Sequence, residues 1–235
     1  MNGLRSSAIT LEDLPFPAIL IRWQGFYCLN SLRLCIVWLS RGHRGSSGAM
    51  TSPTTDTKHD PVELLRSLIR FDTSNPPGNE RACLEYVGGI LGEGGIESRF
   101  VARDPERPNL VARLPGRGDA PPLLLYAHVD VVPANASEWT HPPFAAELVD
   151  GEIWGRGTLD MKGGVAMLVA ALLRAATERL EPAGDVILAL SPDEERGSTL
   201  GAKYLVEEHA ELFEGVRYGL SEFGGFTQWT GGRPR

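Results

Sequence analysis

Several polar segments of the sequence contain side chains that could bind a metal ion or move a proton. The first holds His128 and Asp130, which follow an apolar run beginning at Leu123. In a strand, the two-residue side-chain period would put His128 and Asp130 on the same face. Such a pair suits a metal-binding imidazole whose second ring nitrogen is held by a carboxylate. A histidine that only makes hydrogen bonds at a strand end explains this segment equally well.

The second segment is glycine-rich and spans residues 155–164 (GRGTLDMKGG), with Asp160 as its acidic residue. The segment lies between a predicted hairpin and a predicted helix. A carboxylate there could bridge two cations, or it could simply sit at a helix start where the dipole favours an acid. The segment lacks the GxxxxGK[ST] pattern of a phosphate-binding loop, which argues against nucleotide binding.

Acidic residues also follow two other predicted strands. Glu194 and Glu195 come after one strand, and Glu222 ends another. Neighbouring residues on an extended segment point in different directions, so one of the paired glutamates could be a general base and the other a ligand. Each of these acids could also be a solvent-exposed surface residue without a role in a site. Taken together, one imidazole and several carboxylates near strand ends favour a dinuclear, zinc-type hydrolytic site.

The remaining histidines are weaker candidates for metal binding. His43 and His59 lie outside the predicted fold, His141 lies in a proline-rich loop, and His209 lies near a helix end where a cation is favourable. We therefore expect none of the four to be a ligand.

Apolar periodicity predicts the elements that would position these residues. Strands alternate with helices, and Asp150-Gly151 marks a tight hairpin. The predicted fold is α/β, with a mixed, mainly parallel sheet between helices. The predicted helices begin at 61, 79, 163 and 199, and the predicted strands cover 96–101, 109–114, 123–132, 185–190 and 218–222.

Composition excludes several classes of protein. The chain has 235 residues, 42% of them hydrophobic and 23% charged, which is typical of a folded globular protein. A net charge of −7 argues against nucleic acid as a partner. The three cysteines suggest neither a disulfide framework nor a zinc finger, and the apolar stretch 14–39 is too often interrupted to span a membrane. These features predict a cytoplasmic protein.

The first 59 residues differ from the rest. Residues 1–49 carry five arginines against Glu12 and Asp13, a balance of +3 in a chain that is acidic as a whole. We interpret residues 1–59 as an N-terminal extension that is disordered or not native, with Met50 as the hypothetical start. Residues 60–235 are then predicted to form the first part of a metallohydrolase catalytic domain.

Three ordered motifs closely resemble one family. They are 126–133 (YAHVDVVP), 155–164 (GRGTLDMKGG) and 193–195 (DEE), and 72–80 (DTSNPPGNE) is also similar. The family comprises dinuclear zinc metallopeptidases and deacylases, including acetylornithine deacetylase, succinyl-diaminopimelate desuccinylase, aminoacylase and carboxypeptidase S. The resemblance covers about residues 60–226. It implies a zinc-exopeptidase-like catalytic domain that hydrolyses amide bonds of small N-acyl amino acids or peptides with metal-activated water.

The resemblance also implies a role for each candidate residue. His128 and Glu222 would bind one metal, Asp160 would bridge both metals, and Glu195 would bind the second. Asp130 would orient His128, and Glu194 would be the general base. Two zinc ions are expected, although cobalt or manganese also suits such ligands. The Asp160–Met161 peptide bond is expected to be cis.

Two parts of the family pattern are missing from the sequence. Family members usually continue into a lid or dimerisation domain and then supply a final histidine ligand. We therefore expect the catalytic domain to be truncated before the lid, homodimerisation to require that lid, and this chain to be weakly active or inactive. The alternative interpretation is a non-catalytic metal-binding fragment.

Overall fold

The computed structural model describes residues 60–222 and the backbone of the short strands Trp229–Thr230 and Arg233–Pro234. The predicted extension 1–59, with its hypothetical start at Met50, lies outside the described residues and stays a prediction. The same holds for His43, His59 and the apolar stretch 14–39.

Four α-helices, three short 3-10 helices and seven strands make up the main body of residues 60–222. The helices are α1 (Pro61–Ile69), α2 (Glu80–Glu93), α3 (Lys162–Thr177) and α4 (Ala202–Glu208). The strands are β1 (Ser98–Val101), β2 (Asn109–Leu114), β3 (Leu123–His128), β4 (Glu147–Val149), β5 (Glu152–Trp154), β6 (Val186–Ser191) and β7 (Tyr218–Leu220). None of the helices in this range has the length and apolar character needed to cross a bilayer.

Five strands form one sheet in the order β1-β2-β6-β3-β7. Pairing is antiparallel in β1–β2 and β2–β6 and parallel in β6–β3 and β3–β7. The predicted α/β fold with a mixed sheet is confirmed, with parallel and antiparallel pairings equal in number among these strands. The predicted hairpin is also present as β4 and β5, and positive φ angles of 51° at Asp150 and 82° at Gly151 fit the tight turn.

Helices cover both faces of the sheet. The larger core packs α1, α2 and α3 against one face and includes the fully buried residues Leu68, Leu84, Leu173 and Leu188. The smaller core lies on the other face, where α4 supplies Tyr204 and Leu205 against Ile187 and Ala189 of β6. Because β6 is covered on both sides, its sequence is a continuous apolar run rather than an alternating one.

The start of α1 follows directly from the sequence, whereas the contact at the start of α3 does not. The side chain of Asp60 accepts a hydrogen bond from the Val62 amide at 2.8 Å and caps α1, whose first residue is Pro61. At the first residue of α3, the Lys162 ammonium donates to the carbonyl oxygens of Leu68 at 3.0 Å and Phe71 at 2.7 Å. Lys162 thereby satisfies carbonyl groups at the end of α1 and ties the two helices together.

Strand β3 is shorter than the apolar run that predicted it. β3 ends at His128, whereas the run predicted a strand as far as residue 132. The Val129 amide still donates to the Ser191 carbonyl of β6 at 3.0 Å, but the backbone then changes partner. The Asn75 backbone amide donates to the Val131 carbonyl at 2.9 Å, and the Val131 amide donates to the Thr73 carbonyl at 3.1 Å. Val131 therefore pairs with the 73–75 segment instead of the five-stranded sheet, whereas Val129 packs into the larger core.

Candidate metal centre

The candidate residues collect at one edge of the sheet. His128 is paired with Ser191 in the parallel register of β3 and β6, so both strands end at the same level. Leu125 is likewise paired with Leu220, the last residue of β7. Asp193, Glu194 and Glu195 follow β6 and are called the acidic turn below. This turn and Glu222 after β7 therefore emerge beside His128, at the carboxyl edge where ligands bind in open α/β sheets.

Three carboxylates surround the Nε2 atom of His128. This atom lies 3.1 Å from Oδ1 of Asp160, 3.5 Å from Oε2 of Glu222 and 3.8 Å from Oε2 of Glu194. The imidazole is fully buried, whereas the side chain of Asp160 is 66% exposed. The site is therefore a buried ring that faces an open, acidic surface.

The opposite nitrogen of the ring is held by Asp130. His128 Nδ1 lies 3.0 Å from the Asp130 carbonyl oxygen and 3.3 Å from its Oδ1. Because both neighbouring atoms are acceptors, Nδ1 carries a proton and donates, which leaves Nε2 directed at the three carboxylates. This is the arrangement that the spacing of His128 and Asp130 predicted.

Asp130 also fixes the acidic turn. Its two carboxylate oxygens accept hydrogen bonds from the Glu194 amide at 3.0 Å and the Glu195 amide at 3.1 Å. Burial alone would raise the pKa of Asp130, but hydrogen bonds from His128 and Asn75 outweigh it and hold the pKa below its ordinary value. Asp130 is therefore a stable anion that supports the histidine and the glutamates together.

Asp160 enters the site through a constrained turn. Its peptide bond to Met161 is cis, as expected from the resemblance. Gly157 has φ +82°, and a Cβ there would lie 2.6 Å from Val131 Cγ1, so the turn packs directly against the segment that follows His128. The hydrogen bond with His128 is the main reason that the pKa of Asp160 is lowered.

The two glutamates of the acidic turn point to different members of the cluster. Carboxylate atoms of Asp160 and Glu195 and a ring nitrogen of His128 all lie within 4.8 Å of one another. A second group of the same size joins His128 to Glu194 and Glu222. The structure therefore brings all the predicted ligands together, and it also brings Glu194, the predicted general base, into the cluster.

The electrostatics of this cluster favour a cation. Burial by itself would lower the pKa of His128, but hydrogen bonds with Asp130, Asp160 and Glu222 outweigh it and raise the pKa to about 12. Burial first, together with the charges of neighbouring acids, raises the pKa of both Glu194 and Glu195. An imidazole nitrogen and four carboxylates at close range form a mixed nitrogen and oxygen donor set that suits one or two divalent ions.

The other described histidines have partners elsewhere. His141 Nδ1 lies 2.5 Å from Oε2 of Glu147, and its ring packs against Trp154. His209 Nε2 lies 3.0 Å from the Tyr204 hydroxyl. Both residues therefore lie outside the groups formed around His128, and the expectation that neither binds the metal stays a prediction.

The sequence did not assign roles to several residues that support the site. Asn75 contacts Asp130 and Asp193, Arg107 contacts Glu80, and Lys162 ties α1 to α3. Asn75 and Glu80 lie in the 72–80 segment, which resembled the family but carried no chemical argument of its own. Arg107 lies in a loop between two strands, and no pattern in the sequence marked it.

Comparison with known proteins shows which protein family the sequence resembles. Residues 124–231 match peptidase family M20/M25/M40. The chain is 40% identical over 149 residues to succinyl-diaminopimelate desuccinylase of Paracoccus denitrificans, an alignment that covers 63% of this chain and 38% of that enzyme. Residues 124–231 are therefore similar to the M20 peptidase family, and the resemblance seen in the sequence is confirmed.

Solved structures agree on the fold. Human carnosine dipeptidase 1 superimposes with a TM-score of 0.62 at 21% identity, covering 70% of this chain and 38% of that one. The M20 family metallo-carboxypeptidase of Sulfolobus solfataricus gives a TM-score of 0.61 at 22% identity, covering 71% and 38%. The chain thus spans less than half the length of each of these three relatives.

Proposed function

We propose that this protein is a metal-dependent hydrolase that cleaves amide bonds of small N-acyl amino acids or peptides. The observation that carries this proposal is the ring of carboxylates, Asp160, Glu194 and Glu222, within 3.8 Å of His128 Nε2. Acids gathered around one atom repel one another, and a divalent cation removes that repulsion. The match of residues 124–231 to the M20 peptidase family supports the same reaction class.

The metal ligands in this proposal are the four predicted ones. His128 and Glu222 would hold one ion, Glu195 would hold the second, and Asp160 would be a ligand shared by both. Asp130 keeps the His128 ring in the tautomer that leaves Nε2 free to bind. Zinc suits this donor set, and cobalt and manganese suit it as well.

Glu194 is the general base of the proposed reaction. When bound, divalent ions at this site would lower the pKa of water and polarise the amide carbonyl group. Glu194 takes the proton from the attacking water and passes it to the leaving amine. Its raised pKa supports this role, since a base works best when its pKa approaches the working pH.

The proposed substrates are N-acyl amino acids, with N-succinyl derivatives first among them. The support for this choice is the 40% identity to an enzyme named for removing a succinyl group. We further propose that the protein works in the cytoplasm on small substrates, without nucleic acid or membrane as a partner. Homodimer formation through a lid domain stays a prediction for the full-length relative.

A non-catalytic metal-binding fragment was the second interpretation of the sequence. The comparisons do not favour it, because the three relatives are named as a desuccinylase, a dipeptidase and a carboxypeptidase. Activity and metal binding can nevertheless be separated by experiment, because the proposed base and the proposed ligands are different residues.

The test measures amine release from N-succinyl and N-acetyl amino acids by the zinc-loaded chain, with Glu194→Gln as the paired variant. Because the chain is expected to be weakly active, we expect slow zinc-dependent release from the wild type that falls by at least about 100-fold in the variant. Equal release by both proteins would contradict the role of Glu194. No release from a zinc-loaded wild-type chain would contradict catalysis by this chain and favour the fragment interpretation.

A further inference from the structure

A buried amide lies between two acidic side chains behind the candidate metal centre. Asn75 Nδ2 donates to Oδ2 of Asp130 at 2.9 Å and to Oδ1 of Asp193 at 3.2 Å. Asn75 is 3% exposed, Asp130 0% and Asp193 7%, so water cannot easily replace these contacts. Because both partners are acceptors, the two hydrogens of one amide nitrogen are both used.

The two acids joined by Asn75 hold the two ends of the acidic turn. Asp130 accepts from the amides of Glu194 and Glu195. Oδ2 of Asp193 accepts from the Leu200 amide at 3.2 Å, on the far side of the same turn. Displacing either carboxylate would therefore release backbone groups that set the position of the glutamates.

Arg107 supplies a positive charge next to Asp193, one of the two acids. Arg107 Nη2 lies 3.6 Å from Oδ1 of Asp193. The guanidinium is itself anchored by Glu80, with Nε 2.9 Å and Nη2 2.6 Å from the two carboxylate oxygens. Glu80 is fully buried and Arg107 is 13% exposed, so this two-point pairing is geometrically fixed.

Backbone hydrogen bonds fix the position of Asn75. The backbone amide of Asn75 donates to the Val131 carbonyl at 2.9 Å, and Ser74 forms a parallel bridge with Val131. Thr73 Oγ1 donates to the Val129 carbonyl at 2.6 Å. The 73–75 segment therefore runs alongside the residues that follow His128, and the Asn75 side chain is held at Asp130.

We propose that Asn75 is a positioning residue: through Asp130 and Asp193 it fixes the turn that carries Glu194 and Glu195, and Arg107 balances the charge of the pair. The relevance of this to catalysis rests on the proposed function. The positioning itself does not, because it concerns contacts that need no metal.

The test compares Asn75→Asp with wild type in the metal-free full chain. This change keeps the shape of the side chain but replaces the donor with a further acid, so both contacts become repulsive. Amide hydrogen exchange is measured at Glu194 and Glu195 and, as a measure of global stability, at Leu188 and Leu190 of β6. Asn135→Asp makes the same change in an exposed turn and is the matched control.

We expect exchange at Glu194 and Glu195 to become about tenfold faster or more in Asn75→Asp, with β6 unchanged. The Asn135→Asp control is expected to match wild type at all four amides. Unchanged exchange at the two glutamates would overturn the proposal. Equal acceleration at the glutamates and in β6 would also overturn it, since that result describes general destabilisation.

A second variant covers the case in which Asn75→Asp does not fold. Arg107→Gln removes the balancing charge without touching Asp130, and we expect exchange at Glu194 and Glu195 to accelerate by roughly threefold to tenfold. Unchanged exchange in a folded Arg107→Gln chain would overturn the proposal.

Titration with Co²⁺ then separates this inference from the proposed function. We expect about 10- to 100-fold weaker Co²⁺ affinity and an altered visible spectrum in Asn75→Asp. A wild-type chain that binds no Co²⁺ would contradict the proposed function, while the exchange data would still decide the role of Asn75. Wild-type Co²⁺ affinity in the variant would contradict the link between Asn75 and the metal site.

Discussion

His128 and Asp130 face each other within the protein interior, with Nδ1 of the ring 3.3 Å from a carboxylate oxygen and both side chains fully buried. The two residues are separated by one position in the sequence, and Val129 between them points into the main core. The pair therefore links a hydrophobic core on one side of the backbone to a polar site on the other. Its consequence is that the imidazole has one orientation, with Nε2 at the acidic cluster.

Asp130→Asn is expected to weaken zinc binding by about 10- to 100-fold. The amide keeps the size of the carboxylate but loses its charge, and its nitrogen cannot accept from the Glu195 amide. Isothermal titration of the metal-free chain with zinc measures the effect. Asp119→Asn, which alters an exposed acid paired with Arg117, is the control and should match wild type.

Glu195→Gln and Glu194→Gln should separate ligand from base. We expect Glu195→Gln to lower zinc affinity, because the neutral amide is a poorer ligand than the carboxylate near His128 and Asp160. Glu194→Gln should keep most of the bound zinc. Zinc content after dialysis, measured for both variants, would contradict the assignment if the losses were equal or reversed.

Lys162→Met should lower the free energy of unfolding at pH 7 by about 1–3 kcal/mol, since the Leu68 and Phe71 carbonyl groups lose their donor. Chemical denaturation measures this. Lys203→Met alters an exposed lysine paired with Glu207 at 4.0 Å and should change stability by less than about 0.5 kcal/mol.

The same variant makes a prediction about pH. Burial holds the pKa of Lys162 in the folded protein below its ordinary value of 10.5. Between these two values the unfolded chain binds more protons than the folded one, so the wild type gains stability as pH rises through that window. The stability difference between wild type and Lys162→Met should therefore grow as pH increases towards 10.5. A constant difference would contradict the buried, charged state of Lys162.

Gly78→Ala should destabilise the protein by about 1–3 kcal/mol. Gly78 has φ +88°, and a Cβ there would lie 2.3 Å from Cζ of Arg107, whose guanidinium is fixed by Glu80. Gly89 in α2 is the control, because a Cβ there meets nothing within 4 Å. Gly89→Ala should stabilise the helix by about 0.5–1 kcal/mol, and a similar effect of both changes would contradict the steric role of Gly78.

The sequence was sufficient to predict which side chains lie around His128. Period-two geometry put His128 beside Asp130, and the rule that polar residues collect at carboxyl ends of parallel strands brought in Glu194, Glu195 and Glu222. Helix α1 was predictable from its cap and from Pro61. These features depend on local chemistry, which a single sequence contains.

The supporting contacts were not predictable in the same way. Asn75 and Asp193 are 118 positions apart, and Arg107 meets Glu80 across 27 positions. No local pattern relates residues at such separations, and their meeting depends on how the 73–75 segment pairs beyond β3. The early end of β3 was unpredictable for the same reason, because an apolar run does not reveal which neighbouring segment will bury it.

The most direct measurement is zinc stoichiometry and affinity of the full chain, determined together for wild type and His128→Ala. We expect at least one zinc ion bound to the wild-type chain and an affinity at least about tenfold lower after His128→Ala, since Nε2 lies at the centre of the cluster. A wild-type chain without zinc affinity, or a His128→Ala chain that binds zinc as tightly as wild type, would contradict the metal centre.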